Sequence, residues 1–132
     1  MPDAPRHLLE AALKVRENAY APYSKFSVGA AVETTDGSVF LGTNMENVSY
    51  GLSMCAEVGA LQAATAAGKH DRLLRIAIVG SSAITPCGRC RQLIYEASQR
   101  SGVDIEVWCS DTTLTAIERH EISELLPHAF SF

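Results

Sequence analysis

Two short segments carry residue types that do chemistry, Cys55-Ala56-Glu57 and Pro86-Cys87-Gly88-Arg89-Cys90. Each sets its first cysteine at the predicted start of a helix. There the partial positive charge and unpaired N–H groups of the first turn lower a thiol's pKa and favour the thiolate. Thiolate is the form that binds zinc, and three thiolates fall one ligand short of a closed tetrahedron. A fourth position left to water is the mark of a catalytic zinc site. Glu57 lies two residues from Cys55, and residues two apart on a helix do not share a face. Its carboxylate is therefore placed beside a water rather than on the metal, as a proton shuttle requires.

Other readings of the same residues are a set of inert buried thiols with a surface carboxylate, or a purely structural zinc. The structural site needs a fourth ligand, and no His or Cys lies near either segment. The fourth cysteine, Cys109, falls on the alternating face of a predicted strand and reads as core. His7, His70, His120 and His128 stand apart and read as surface or packing residues.

The elements that must position these groups follow from hydrophobic period. Leu8, Ala12, Val15 and Ala19 share one face of a predicted helix over 5–20, stopped by Pro22. A strand is predicted over 27–34, and Asp36-Gly37 supplies the turn into a second strand over 38–42. Ser53 is the expected N-cap of an Ala-rich helix that ends at Gly68. Arg75–Gly80 contains a continuous apolar run that suits a strand covered on both faces. Thr85-Pro86 is the expected N-cap and N1 pair of the next helix, with Cys90, Leu93, Ile94 and Ala97 on its inner face. Val103, Ile105, Val107 and Cys109 alternate along another strand. A last strand over 114–119 and a short helix over 123–126 complete the chain. Helices alternating with buried strands imply an α/β layer structure, and the hairpin makes its sheet mixed.

At 132 residues the chain is sized for one domain, residues 1–132. A net charge of −4 with scattered basic residues excludes the clustered Lys and Arg that nucleic-acid binding needs. No apolar run suits a membrane span. The opening residues Met1 to Pro5 lack a basic region followed by an apolar stretch, so the expected compartment is the cytoplasm.

The two cysteine segments resemble those of the zinc nucleobase deaminases, which combine a three-cysteine ligand set with a non-ligand Glu ahead of P-C-x-x-C. The likeness to the small homotetrameric cytidine deaminases runs over nearly the whole length. It includes Ala19-Tyr20-Ala21-Pro22-Tyr23-Ser24-Lys25-Phe26, Val28-Gly29-Ala30-Ala31, Asn44-Met45-Glu46-Asn47, the cysteine segments extended to Arg91-Gln92, and Leu125-Leu126-Pro127-His128-Ala129-Phe130.

The resemblance implies a three-layer α-β-α cytidine deaminase-like fold with a mixed, roughly five-stranded sheet. It implies hydrolysis of free cytidine and 2′-deoxycytidine to uridine and 2′-deoxyuridine plus ammonia, serving pyrimidine salvage. One Zn2+ per subunit would be held by Cys55, Cys87 and Cys90. Zinc-bound hydroxide would attack C4 while Glu57 shuttles the proton. Asn44 and Glu46 would take the ribose 3′-hydroxyl, Phe26 would pack against the base, and the Ala56 backbone would read the pyrimidine edge. Tyr50 and Phe130 would reach active sites of neighbouring subunits in the homotetramer. From the residues alone Asn44 is also a turn residue and Phe26 ordinary core. A deaminase of a cytosine-containing antibiotic such as blasticidin S would not need the Asn44–Glu46 clamp, and a non-catalytic zinc module would not need Glu57.

One position departs from the pattern. Many members with three cysteine ligands carry Arg directly after the Glu, where this chain has Val58. Zinc with three thiolates carries a net negative charge. The expectation is that the helix N-termini, with Arg89, Arg91 or Gln92, offset it in place of that guanidinium.

Overall fold

The structure, a computed structural model, describes residues 3–132. The elements are α1 (Arg6–Val15), β1 (Gly29–Thr34), β2 (Val39–Thr43), α2 (Ala56–Ala66), β3 (Leu73–Val79), α3 (Gly88–Ser101), β4 (Glu106–Ser110), β5 (Ile117–Glu121) and α4 (Ile122–Leu125). Short 3-10 turns lie at Arg16–Asn18 and Tyr50–Leu52. The sheet has five strands in the order β2-β1-β3-β4-β5. Only β3 and β4 run parallel; the other pairs are antiparallel, so the sheet is mixed.

Alternation along the strands sends side chains to two cores. On one face Val32, Ile76, Ile78, Val107 and Cys109 pack with Ala60 and Ala64 of α2 and Ile94 and Ala97 of α3. On the other, Ala31, Ala77, Val79 and Trp108 pack with Leu8, Leu9 and Ala12 of α1. This is the three-layer α-β-α arrangement. A sheet covered on both sides explains why β1 and the second half of β3 are buried at every position. Among the described residues no helix is long and apolar enough to cross a membrane.

Several boundaries differ from the sequence expectation. Helix α1 ends at Val15, and the chain turns extended at Ala19, before Pro22 is reached. Val15 and Ala19 are only half-buried, and Leu9 takes the core position instead. Leu93, expected inside, is 37% exposed because no layer covers that side of α3. The last strand and helix start later and earlier, respectively, than expected, at Ile117 and Ile122.

The start of α2 is set by a long-range tie. Met45 and Met54 exchange both backbone hydrogen bonds at 2.9 Å. That bridge holds the chain extended through Cys55, so Cys55 rather than Ser53 is the N-cap. The Ser53 hydroxyl instead accepts the N–H of Asn47 at 3.0 Å. Helix α2 then lies on β2 at Gly42, where a Cβ would sit 2.3 Å from the Ala56 carbonyl oxygen and 2.4 Å from the Ala60 nitrogen. Only glycine permits this approach. At the far end Gly68, at φ 77°, closes the helix as expected.

Candidate metal centre and active site

Helix α3 begins as α2 does. Cys87, not Thr85, is its N-cap, and neither N-cap cysteine makes a side-chain capping bond. The Thr85 hydroxyl and the Pro86 carbonyl instead take hydrogen bonds from Arg91, at 2.9 and 2.7 Å. Cys90 lies in the first turn of α3, fully buried. The two helix starts converge, so that the Sγ atoms of Cys55, Cys87 and Cys90 all lie within 4.8 Å of one another. The Cys55 and Cys87 sulfurs are 4.0 Å apart. Tetrahedral zinc with Zn–S bonds of about 2.3 Å requires sulfurs about 3.8 Å apart, so the donor set fits that ion in both chemistry and spacing. Among the described residues this is the one cluster of three or more such ligands.

The sulfurs are not equivalent. The Cys55 thiol is lowered to about 6, first by its hydrogen bond with Cys90 and further by Cys87 and the charge of Arg89, against the opposing effect of burial. Cys90 is pushed up by its hydrogen bond to Cys55 and by burial. The hydrogen bond between these two sulfurs thus favours one thiolate of the pair, the form that binds metal.

Glu57 is 5% exposed on the second residue of α2. Burial raises its carboxyl to about 7, and the nearby Cys55 charge pushes the same way. A carboxyl near neutrality both accepts and returns protons.

Cys55, Cys87 and Glu57 wall a cavity of about 300 Å3 together with Phe26, Asn44, Glu46, Met54 and Ala56. Strand β2 delivers Asn44 and Glu46, whose backbones are strapped to Tyr20 by two further hydrogen bonds, Tyr20 N–H to the Asn44 carbonyl at 3.1 Å and Glu46 N–H to the Tyr20 carbonyl at 2.9 Å. The Asn44 side chain donates to the Phe26 carbonyl at 2.8 Å and accepts the Val28 N–H at 2.9 Å. Glu46 is held below the usual carboxylate range, chiefly by the Ser24 hydroxyl and then the Ser24 N–H. An adjoining cavity of about 280 Å3 continues past Glu46 between Tyr23, Ser24 and Tyr50.

The sequence-predicted residues Cys55, Cys87, Glu57, Phe26, Asn44, Glu46 and Ala56 are thus brought to one cavity, with Cys90 behind it in the sulfur cluster. Tyr50 and Phe130 are not brought to it. They are 87% and 71% exposed, and Phe130 makes an edge contact with Phe132 at 5.2 Å. Sequence reading missed Met54, Ile84 and Thr85, which line the cavity. Their only signal was adjacency to the cysteine segments.

Residues 3–103 match the cytidine and deoxycytidylate deaminase zinc-binding region. The chain belongs to that family. The cytidine deaminase of Halalkalibacterium halodurans is 43% identical over 126 residues, covering 94% of this chain and 92% of that protein. The cytidine deaminase of Mycobacterium tuberculosis is 46% identical over 99 residues, covering 73% and 74%. Among solved structures, the cytidine deaminase of Burkholderia pseudomallei superposes with a TM-score of 0.87 at 44% identity, covering 96% of this chain and 99% of that one. That of M. tuberculosis gives 0.80 at 37%, covering 98% and 100%.

Within this zinc-binding family the Val58 departure has a structural setting. Val58 is half-buried on α2 and offers no donor to the sulfurs. Arg91, one of the groups expected to offset the thiolates, uses all three of its side-chain nitrogens on other acceptors. Besides Thr85 and Pro86 it donates to the Leu125 carbonyl at 2.9 Å, which ties the start of α3 to α4. Arg89 remains, and its charge favours the Cys55 thiolate. The histidines are surface or packing residues as expected: His7, His70 and His128 are exposed and His120 is half-buried, with His7 paired to Glu33 at 2.8 Å and His120 to Glu118 at 3.0 Å.

A larger cleft, about 420 Å3, lies elsewhere, between His7, Arg75, Trp108 and Arg119. Its arginines are paired with Glu33, Glu106 and Glu121, and among the described residues it holds no metal-ligand cluster.

Proposed function

We propose that this chain is a cytidine deaminase that hydrolyses free cytidine and 2′-deoxycytidine to the uracil nucleosides and ammonia. The observation that carries this reading is the buried Glu57 carboxyl beside three converging cysteine sulfurs, in a cavity that also holds Asn44 and Glu46. Cys55, Cys87 and Cys90 hold the metal, one zinc per subunit. When bound, zinc supplies the Lewis acidity that brings ionisation of a water toward neutral pH.

Glu57 takes a proton from the attacking water and delivers it to N3 of the pyrimidine. It then takes the remaining proton from the C4 hydroxyl and passes it to the amino group as the C4–N bond breaks, which leaves a C4 carbonyl and releases ammonia. The Ala56 backbone reads the pyrimidine edge, and Phe26 packs on the base. Asn44 and Glu46 hold the ribose 3′-hydroxyl, an amide and a carboxylate against a group that both donates and accepts. Recognition through the 3′-hydroxyl admits both sugars.

The 132 residues act as one catalytic domain in a homotetramer, with Tyr50 and Phe130 completing neighbouring sites. Their exposure supports this, as does α2, whose only charged residue is Glu57, because a helix without a charged outer face belongs in an interior. The role is pyrimidine salvage in the cytoplasm, without nucleic-acid or membrane partners.

The test is ammonia release from cytidine, 2′-deoxycytidine, cytosine, blasticidin S and cytidine 5′-monophosphate. Both nucleosides turn over, and the other three are poor substrates. No Lys or Arg lines either cavity to receive a phosphate, and Glu46 repels one. Preference for blasticidin S would replace the nucleoside reading with the antibiotic one.

A further inference from the structure

The chain turns sharply at Tyr23–Phe26 to lay the Phe26 ring along the cavity. Lys25 sits at φ 61° in this turn, a left-handed conformation that a non-glycine residue keeps only where surrounding contacts enforce it. The Lys25 N–H closes the turn on the Ala21 carbonyl at 3.0 Å, and the Glu46 carboxylate braces it from outside. Its Oε1 accepts the N–H of Tyr23 at 2.9 Å and of Ser24 at 3.1 Å, and its Oε2 accepts the Ser24 hydroxyl. The Ser24 oxygen then accepts the N–H of Phe26 at 3.1 Å.

Ser24 is exposed, and a serine in a turn commonly does no more than shape its own backbone. Here its hydroxyl does something further, because it bridges two residues of the cavity wall 20 positions apart in sequence, Phe26 and Glu46. A carboxylate offers about four acceptor positions. Three on Glu46 are taken by this turn, which leaves about one for an incoming hydroxyl, in a direction fixed by the other three.

We propose that Ser24 is a positioning residue for sugar recognition. It locks the Glu46 carboxylate and the Phe26 ring in one mutual orientation, so that the free acceptor position meets the sugar hydroxyl while the base lies on the ring. This rests on the reading of Glu46 as a 3′-hydroxyl acceptor. Loss of the Ser24 hydroxyl frees Oε2 to turn, and discrimination for the hydroxyl falls before chemistry does.

The experiment measures kcat and KM for cytidine and 3′-deoxycytidine with the full-length zinc-loaded enzyme, Ser24→Ala, Ser24→Thr and Ser24→Cys. The native enzyme prefers cytidine by about tenfold or more in kcat/KM, the worth of a hydrogen bond to a charged group. Ser24→Ala shrinks that ratio at least threefold, mainly through KM for cytidine. Ser24→Thr restores it. Ser24→Cys, a weaker donor, lies between, and provides the reading if the alanine variant folds poorly. A native enzyme that does not discriminate would overturn the sugar reading itself. Native discrimination that persists undiminished in the alanine or cysteine variant would overturn the role of Ser24 alone. A merely structural role would lower kcat/KM for both substrates alike.

Discussion

Gly42 of β2 lies against Ala56 of α2 so closely that a Cβ on it would fall 2.3 Å from the Ala56 carbonyl oxygen. The helix turn that carries Cys55, Ala56 and Glu57 is thus seated directly on strand backbone, with no side chain between. Gly42→Ala must push that turn outward. Overpacking of this kind costs about 1–3 kcal/mol. The expected outcome is a lower melting temperature together with weaker zinc retention, since Cys55 moves with the turn. Calorimetry and metal content after dialysis check both, and a variant with native zinc content would show that the turn is positioned otherwise.

Asn44 supports the cavity as well as facing it. Its amide satisfies the Phe26 carbonyl and the Val28 N–H. Asn44→Asp leaves the Phe26 carbonyl facing an acceptor, and Asn44→Ala leaves both groups unpaired, at about 1–3 kcal/mol for each group that stays buried. Both variants should lose stability and raise KM for cytidine. If KM rises with no change in melting temperature, Asn44 contacts substrate without holding the wall.

The Asp36–Lys69 pair, at 2.8 Å, ties the β1–β2 turn to the residues after α2. Lys69 chiefly, then the Thr34 hydroxyl, holds the Asp36 carboxyl well below the usual range. A carboxyl depressed on folding contributes stability that is fully present above its unfolded value of about 4 and is lost as pH falls below that. Asp36→Asn should therefore melt lower than the native protein at pH 7, with the gap narrowing steadily below pH 4. The pair is exposed to solvent, so the gap should also shrink in high salt. A gap that is constant from pH 7 to pH 2 would remove the ionised carboxylate from the explanation.

The cysteine segments were legible because a C-x-x-C and a C-x-E at two helix starts have few structural uses, and strand alternation placed Cys109 in the core, where burial pushes its thiol up to about 12. Helix starts were less legible. The tie that delays α2 to Ala56 comes from Met45, and the bond that fixes Arg91 comes from Leu125, 34 positions away. Local capping rules see neither. Leu93 fits the helical period of α3, yet periodicity cannot say that the covering layer ends there. The dual use of Asn44 and Glu46 depends on a turn around Lys25 that has no glycine to announce it.

In the proposed reaction Glu57 moves the protons without holding the metal. Turnover of cytidine by Glu57→Gln, measured beside zinc content per chain, tests it most directly. The expected result is native zinc content and a loss in kcat of about 10² or more, the usual worth of positioned proton transfer. Turnover within a few-fold of native at full zinc occupancy would contradict it.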